Sequence, residues 1–409
     1  MRIRMASFFG LAVAVMFIIW GAAPAAAQQP AGQVVKLGEG ETLTITGFIS
    51  ASYFANHGRF GAFGQGQNAE LADSAQATTD KVFTDGDVRN TRINFTFAAG
   101  PVLGKWFPRA TLESDFFGTF NGNPPFGDEQ PQMRIRFAYV DLTNGRTTLR
   151  IGQFWSPMFG EVPVSLTHLA FPLGYGATGM VGWRYPGLFL YHDLTPGKPV
   201  NAQLQLAAFK GSGPAGPGRD AAAQLGIGTG EASGVPQFEA RLNLGRRTPK
   251  LNWSGYIVGH VDWKDTSGTG VAGKNLSAWG FEAGLNIAPS KFTLHGNFYY
   301  GKAIGQQFAH ITQQGNIRGW GAWAQAGYDF TPRWSLWAYY GMDQPDAARF
   351  TSETGGTLSR QLSHDADALL RFRAGRYALG LEYFRAVTRY AATGPNSADQ
   401  VALSVLYTL

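Results

Sequence analysis

Sixteen stretches of this chain alternate apolar and polar residues, and the connections between them alternate in length. The second alternation constrains the fold more than any motif does. The stretches are read at 42–56, 87–99, 105–118, 132–143, 146–155, 178–192, 200–210, 237–246, 250–264, 275–288, 291–303, 318–331, 333–343, 364–374, 376–390 and 399–409, on the period-two pattern of a strand with one greasy face. Connections leaving odd-numbered strands are long: 57–86, 119–131, 156–177, 211–236, 265–274, 304–317, 344–363 and 391–398. Those leaving even-numbered strands are short, with "AGPVLG", "NG", "TPGKP", "RTP", "PS", "TP" and "GR" at or near them. A soluble sandwich has no reason to gather its long loops at one end. A barrel threaded through a bilayer does, because its tight turns face one side and its long loops the other. The expected fold is all-β: a transmembrane antiparallel β-barrel of about 16 strands, with short periplasmic turns and long extracellular loops.

The faces of the strands agree with this. Stretch 250–264 sets Leu251, Trp253, Ile257, Val261 and Trp263 against Asn252, Ser254, His260 and Asp262. Stretch 291–303 sets Phe292, Leu294, Phe298 and Tyr300 against Thr293, His295 and Asn297. Many stretches are longer than the roughly 5–6 residues usual for a soluble strand and reach the roughly 9–11 that a tilted spanning strand needs. Trp106, Phe107, Tyr328, Phe330, Trp334 and Tyr407 sit beside the short turns, where a girdle at headgroup depth belongs. Lipid satisfies no backbone group, so the first strand must pair with the last. "QVALSVLYTL" at the end of the chain is thus expected to seal the barrel against "TLTITGFISASY".

The first residues, "MRIRMASFFGLAVAVMFIIWGAAPAAAQQ", read as a signal peptide: basic Arg2 and Arg4, an apolar run, and cleavage after Ala27. The domain reading is 1–27 signal peptide, 28–41 a short periplasmic segment and 42–409 the barrel. No apolar run after the signal is long enough for a spanning helix. The chain has no cysteine, so export brings no disulfides and no thiolate chemistry. The net charge is +6, two units of which belong to Arg2 and Arg4. That mild excess does not point to nucleic acid.

By "RIRFAYVDLTNGRTTLRIGQFWSPMFGEVP", Arg134 to Pro163, the chain resembles the Gram-negative trimeric porin superfamily, and most of all its DcaP-type and phosphate-selective branches. The likeness lies in "RFAYVDL", the tight "TNG" turn, "LRIGQFWSP" and the long connection after the fifth strand. It implies a bacterial outer-membrane location, a homotrimer, contact with membrane lipid and lipopolysaccharide, and a water-filled channel for passive diffusion of small hydrophilic solutes. It also implies a third loop, "SPMFGEVPVSLTHLAFPLGYGATG", folded into the lumen to narrow it, and the apolar composition of that segment suits burial. Two departures from the family pattern stand out. The chain ends on Leu409 where the family usually ends on Phe, and it shows no N-terminal coiled-coil heptads.

With the apolar faces outward, Arg92, Asn90, Asn94 and Thr96 turn inward, followed by Arg109, Glu113 and Asp115, then Arg134 and Arg136, then Arg150 and Arg184. These arginines belong to neighbouring strands and form a basic wall. Glu161 and His168 come from the third loop, and Arg371 and Arg373 share their register with Asp365 and Asp367. Fixed, forked guanidinium groups suit carboxylate and phosphate oxygens, so a modest anion preference is expected, or, as the alternative, a channel specific for anionic solutes. The wall also admits a plainer reading, in which the arginines pair with Glu113, Asp115 and Asp128 and hold its shape. Tyr256, Trp337 and Tyr339 offer stacking surfaces to a specific solute. Arg385 and Arg389 read as rim charges.

Catalysis is not expected. The seven histidines are scattered, and no G-x-S-x-G or H-E-x-x-H pattern accompanies them. The Gly-rich segments link no strand to a helix, so they are not phosphate cradles. Asp80, Asp85 and Asp87 in the first long connection admit a calcium site, but read better as a solvated acidic loop. No cofactor or metal is called for.

Overall fold

The computed structural model describes residues 32–61, 66–74, 81–118, 131–211, 228–248, 250–265, 274–304, 315–346 and 360–409. One antiparallel sheet of eighteen strand segments dominates it. Sixteen barrel positions account for the sheet, together with a short N-terminal arm, Gln33–Gly38, and a break in one strand. In chain order the positions are β1 (Glu41–His57), β2 (Val82–Asp87 and Arg92–Ala98), β3 (Phe107–Asp115), β4 (Arg134–Asn144), β5 (Thr147–Trp155), β6 (Arg184–Asp193), β7 (Asn201–Phe209) and β8 (Gln237–Arg247). They continue with β9 (Leu251–Lys264), β10 (Leu276–Pro289), β11 (Phe292–Lys302), β12 (Arg318–Asp329), β13 (Trp334–Pro345), β14 (Arg360–Ala374), β15 (Tyr377–Tyr390) and β16 (Gly394–Thr408). Each pairs with the next, and β1 pairs with β16 from Phe48 opposite Thr408 to His57 opposite Asp399. The barrel is closed. Inside the seam, Ser52 Oγ meets Ser404 Oγ at 2.6 Å.

Apolar side chains face out. Ile151, Ile257 and Phe292 are 64%, 62% and 60% exposed, an arrangement that makes sense only where lipid is the solvent. Polar residues of alternate positions, such as Ser52, Asn56, Gln325 and Glu382, are buried inside. Tight turns join the strands at the periplasmic end. At Gly375 the turn between β14 and β15 needs φ +59°, a left-handed conformation that glycine adopts without a Cβ clash.

Four boundaries differ from the sequence reading, each for a local reason. The arm Gln33–Gly38 is a strand, paired with Thr42–Ile45 of β1, where a plain periplasmic segment was expected. β2 begins at Val82 and is interrupted at 88–91, which shortens the first connection. Residues 178–183 belong to the third loop and not to β6. The eighth connection is a three-residue turn, 391–393, not the long loop expected at 391–398: "GPNS" looks like loop punctuation, yet it lies in β16 opposite Tyr390–Val387.

Candidate functional site

The third loop, residues 156–183, crosses the lumen and is held by the inward faces of the walls. Met158 N–H donates to Glu239 Oε2 on β8 (2.6 Å). Val164 N–H donates to Gln325 Oε1 on β12 (2.7 Å), and Gln325 Nε2 donates back to Val164 O (2.8 Å). Glu382 on β15 accepts three bonds, from Ser165 Oγ (2.5 Å) and from the N–H groups of Leu166 (3.2 Å) and Thr167 (3.0 Å). Asn90, in the break of β2, donates to Thr167 O (2.6 Å) and accepts from Ala170 N–H (3.0 Å). On the return path, Thr178 Oγ1 donates to Asp365 Oδ2 of β14 (2.8 Å), and Asn297 Nδ2 of β11 donates to Gly179 O (2.9 Å). At Gly179 a Cβ would sit 2.4 Å from the Ala322 carbonyl carbon, and its φ is +94°. Glycine therefore lets the loop backbone lie directly on β12. Wall side chains thus serve as the loop's secondary-structure partners, which answers the need of each buried amide for an acceptor.

An apolar cluster seals this arrangement. Phe171, Leu173, Tyr175 and Met180 of the loop pack with Trp323, Tyr339 and Phe384 of the walls, and with Phe60, Ala69 and Ala72 of the first connection. The part of the third loop left open is short. Val162 is 43% exposed, and Glu161 beside it is half-buried.

The arginines predicted at β2–β6 gather against one stretch of wall. Arg134 clasps Asp115 with two bonds (2.9 and 2.7 Å). Arg136 bridges Glu113 and Asp115 (2.8 Å each). Arg92 lies 3.7 Å from Glu113 and donates to Leu169 O of the loop (3.1 Å). Arg184 stacks on Trp183 and Trp155, its guanidinium carbon 4.3 and 4.8 Å from the ring centres. A β-bulge opposite Glu113 and Ser114 leaves Arg136 out of the ladder. It changes the parity of β4, so Arg134 and Arg136 face in together with Tyr139 and Asp141. Four guanidinium groups thus surround two carboxylates. Arg92 Nε and Arg184 Nη1 are buried with no hydrogen-bond partner among the described residues.

The remaining expected residues are spread along the wall. Arg150 pairs with Asp141 (2.7 Å) and lies over the rings of Tyr139 and Phe154 at 3.7 and 4.0 Å. Arg109 stands exposed on β3, opposite Asp141 in the ladder. Arg371 donates to Ser335 Oγ (3.2 Å) over Trp337, and Arg373 is exposed. Tyr256, Trp337 and Tyr339 are buried. Asp87 pairs with Arg89 (2.6 Å), and Asp85 accepts from Gly86 N–H (2.7 Å). Asp80 and Asp128 lie outside the described residues. Arg385 faces outward and pairs with Asp399 (2.9 Å).

On the wall formed by β8–β10, sequence reasoning named Tyr256, His260 and Asp262 but passed over the charged groups that pair with them. Arg241 on β8 donates to Pro157 O (2.8 Å) and Phe159 O (3.2 Å), and covers the ring of Tyr256 at 3.7 Å. Tyr256 in turn donates to Glu282. Next to them Glu239, His260, Asp262 and Lys264 form a buried chain, with contacts of 3.0, 3.3 and 2.5 Å. The alternation "EAR" and "HVDWK" marked these positions as inward. Their pairing depends on register between β8 and β9, which alternation does not encode.

Three loop groups carry unusual protonation. Burial pushes Glu161 up, but His295, Asn286 and the charge of Arg241 outweigh it and hold the carboxyl below its ordinary value. Burial alone drives His168 down to about 3. Burial, with the nearby Asp365, drives Glu70 well above the carboxylate range. Glu70 and His168 stand 4.0 Å apart, and burial disfavours the charged form of each.

No family model matches the chain, and no curated protein matches it by sequence. Solved structures match it in fold. The outer-membrane channel DcaP of Acinetobacter baumannii superposes at TM-score 0.67 and 16% identity, over 93% of this chain and 100% of that one. The anion-selective porin from Comamonas acidovorans gives 0.56 at 11%, over 90% and 100%. OmpF of Salmonella typhi, in complex with daunomycin, gives 0.58 at 10%, over 92% and 100%. At such identities the likeness is one of fold: this chain has the fold of the Gram-negative outer-membrane porins.

Proposed function

We propose that this protein is an outer-membrane porin that passes small hydrophilic solutes by diffusion, with a modest preference for anions. The observation that carries this reading is the third loop laid across a closed barrel, beside a wall where four arginines face two carboxylates. Arg109, Arg241, Arg371 and Arg373 add further inward positive charge. In a wet lumen such charge acts over roughly 8 Å at physiological salt, so the preference should weaken as salt rises. The cleaved signal peptide and the homotrimer belong to the same proposal. Small outward residues such as Ala51 and Ala55 on the seam strand β1 favour close contact between copies.

The test is a reversal potential in a potassium chloride gradient across a planar bilayer. The wild type should show anion preference. Arg109→Gln, which removes an exposed charge with no ion pair among the described residues, should lower it. Cation preference in the wild type would sink the basic-wall account.

One observation favours the second reading, a channel specific for anionic solutes. The first and third connections cover much of the inward wall in the extracellular half, including Asn56, Asp365, Glu382 and Thr388. A path that narrow would be blocked by a phosphate or dicarboxylate at concentrations that leave a general pore conducting.

A further inference from the structure

His295 on β11 stands beside the open stretch of the third loop, and its two ring nitrogens meet different neighbours. Nε2 lies 2.8 Å from Gln325 Oε1 on β12. The loop fixes which way that amide points: Gln325 Oε1 accepts from Val164 N–H (2.7 Å), and Gln325 Nε2 donates to Val164 O (2.8 Å). Oxygen therefore faces the ring, and Nε2 is the nitrogen that carries the hydrogen. In the neutral ring Nδ1 then holds a lone pair. It stands 3.9 Å from Glu161 Oε2, so two acceptors face each other. Trp323 and Trp337 pack edge-on against the ring, with centres 5.2 and 6.1 Å away, and hold it in this orientation.

Glu161 is the only carboxylate in the third loop. Its side chain is 21% exposed, against 4% for His295, so it meets the lumen while the ring behind it does not. On β10, Asn286 Nδ2 donates to Glu161 Oε2 (3.3 Å). The remaining charged groups at this corner are engaged elsewhere. Glu282 on β10 accepts from Tyr256 of β9. Arg241 on β8 donates to Pro157 O and Phe159 O. Arg371 on β14 lies on the ring of Trp337, 5.1 Å from its centre. β12 and β13 face the imidazole with uncharged groups, Gln325, Trp323 and Trp337.

We propose that His295 determines the selectivity of the channel through Glu161: a proton on Nδ1 turns their contact into an ion pair and raises anion preference in mild acid. The added proton replaces a lone pair by a donor, so Nδ1–H faces the carboxylate while Nε2–H keeps Gln325. Imidazole is the side chain that ordinarily changes charge between about pH 8 and 5. Glu161 stays ionised across that range, because its neighbours hold it below the ordinary carboxylate value. The pair has no net charge, and the loop then ceases to oppose the arginine wall. This inference rests on the porin reading and names a regulation of the same pore.

The test measures reversal potentials of the whole protein in planar bilayers, in a potassium chloride gradient, at about pH 7.5 and about pH 5. In wild type the chloride-to-potassium permeability ratio should rise about twofold at low salt on acidification, the effect of cancelling one charge beside the path. His295→Gln should flatten that rise; the other histidines remain in this variant, so their share stays as the baseline. Heat-modifiable mobility on gels reports whether the variant is folded. A second measurement needs no variant. Nitrogen NMR spectra of isotope-labelled histidine in the wild type should show one ring, identified by its contacts with Trp323 and Trp337, with its hydrogen on Nε2 at the higher pH and on both nitrogens at the lower. A permeability ratio that does not move with pH, an undiminished rise in His295→Gln, or a His295 ring with its hydrogen on Nδ1 at the higher pH would each overturn the inference. A wild type that does not conduct at all would sink the porin reading itself, whereas one that conducts with a flat pH profile sinks this inference alone.

Discussion

Glu161 is the carboxylate at the open stretch of the third loop. Its charge opposes the arginine wall and is held on by His295, Asn286 and Arg241. Glu161→Gln should therefore raise anion preference, seen as a reversal potential moved toward the chloride limit, with conductance little changed. His168 makes a different prediction. Its folded value, about 3, lies below the ordinary 6.5, so it stays neutral in place while the released loop would take a proton. Its contribution to holding the loop is complete above about pH 6.5 and lost as pH falls toward 3, by up to about 1.4 kcal/mol per unit. Glu70 has the opposite sign: its raised value favours the folded state as pH falls, until about 4.5, below which it adds nothing more. The two oppose each other between about 6.5 and 4.5, and His168 acts unopposed below. Hydrogen exchange of amides 165–170 should lose protection mainly between about pH 4.5 and 3. In His168→Leu that loss should shrink. At this scale, alternation tells which side of a strand a residue faces, so Arg134 and Arg150 could be placed inward from sequence. That Asp115 meets Arg134 while Asp141 meets Arg150 follows from register and a bulge, which are properties of pairs of strands.

The third loop has no regular structure of its own, and its order comes from the walls. Glu382 alone answers three of its donors. Glu382→Ala leaves Ser165 Oγ and Leu166 N–H buried without that acceptor, at about 1–3 kcal/mol each if nothing replaces it, while Thr167 N–H keeps Ser165 Oγ (3.0 Å). The loop should detach before the barrel does. Single-channel recordings should then show larger mean conductance and more noise, with unchanged heat-modifiable mobility. Unchanged conductance would mean that the contacts at Glu239, Gln325 and Asn90 suffice. The strands were legible because each carries its own period. The inward course of the third loop was legible only as an apolar composition joined to a resemblance, since Gln325, Glu382 and Asn297 lie far from it in sequence. The eighth connection misled for the converse reason. Gly394 and Pro395 punctuate locally, but pairing with Tyr390 and Arg389 on β15 overrides them.

At the scale of the whole barrel, closure was legible because lipid forbids an open edge, whereas the stagger that closure requires was not. β16 ends at Thr408 opposite Phe48, while β1 starts seven residues earlier at Glu41. The lower part of β1 is thus left without β16 beside it, although β2 covers its other edge from Thr42 to Phe48. The arm fills the gap, pairing Gln33–Lys36 with Ile45–Thr42. It lies at the periplasmic rim, where water can replace lost hydrogen bonds, so each is worth only about 0.5–1.5 kcal/mol. Deleting residues 33–38, with the signal peptide kept, should therefore leave assembly and conductance intact. The midpoint of heat modification should fall by about a few degrees. If the shortened chain failed to form barrels at all, the arm would be setting the register of the β1–β16 seam and not merely covering an edge, and Ser52 and Ser404 would no longer be sufficient to align it.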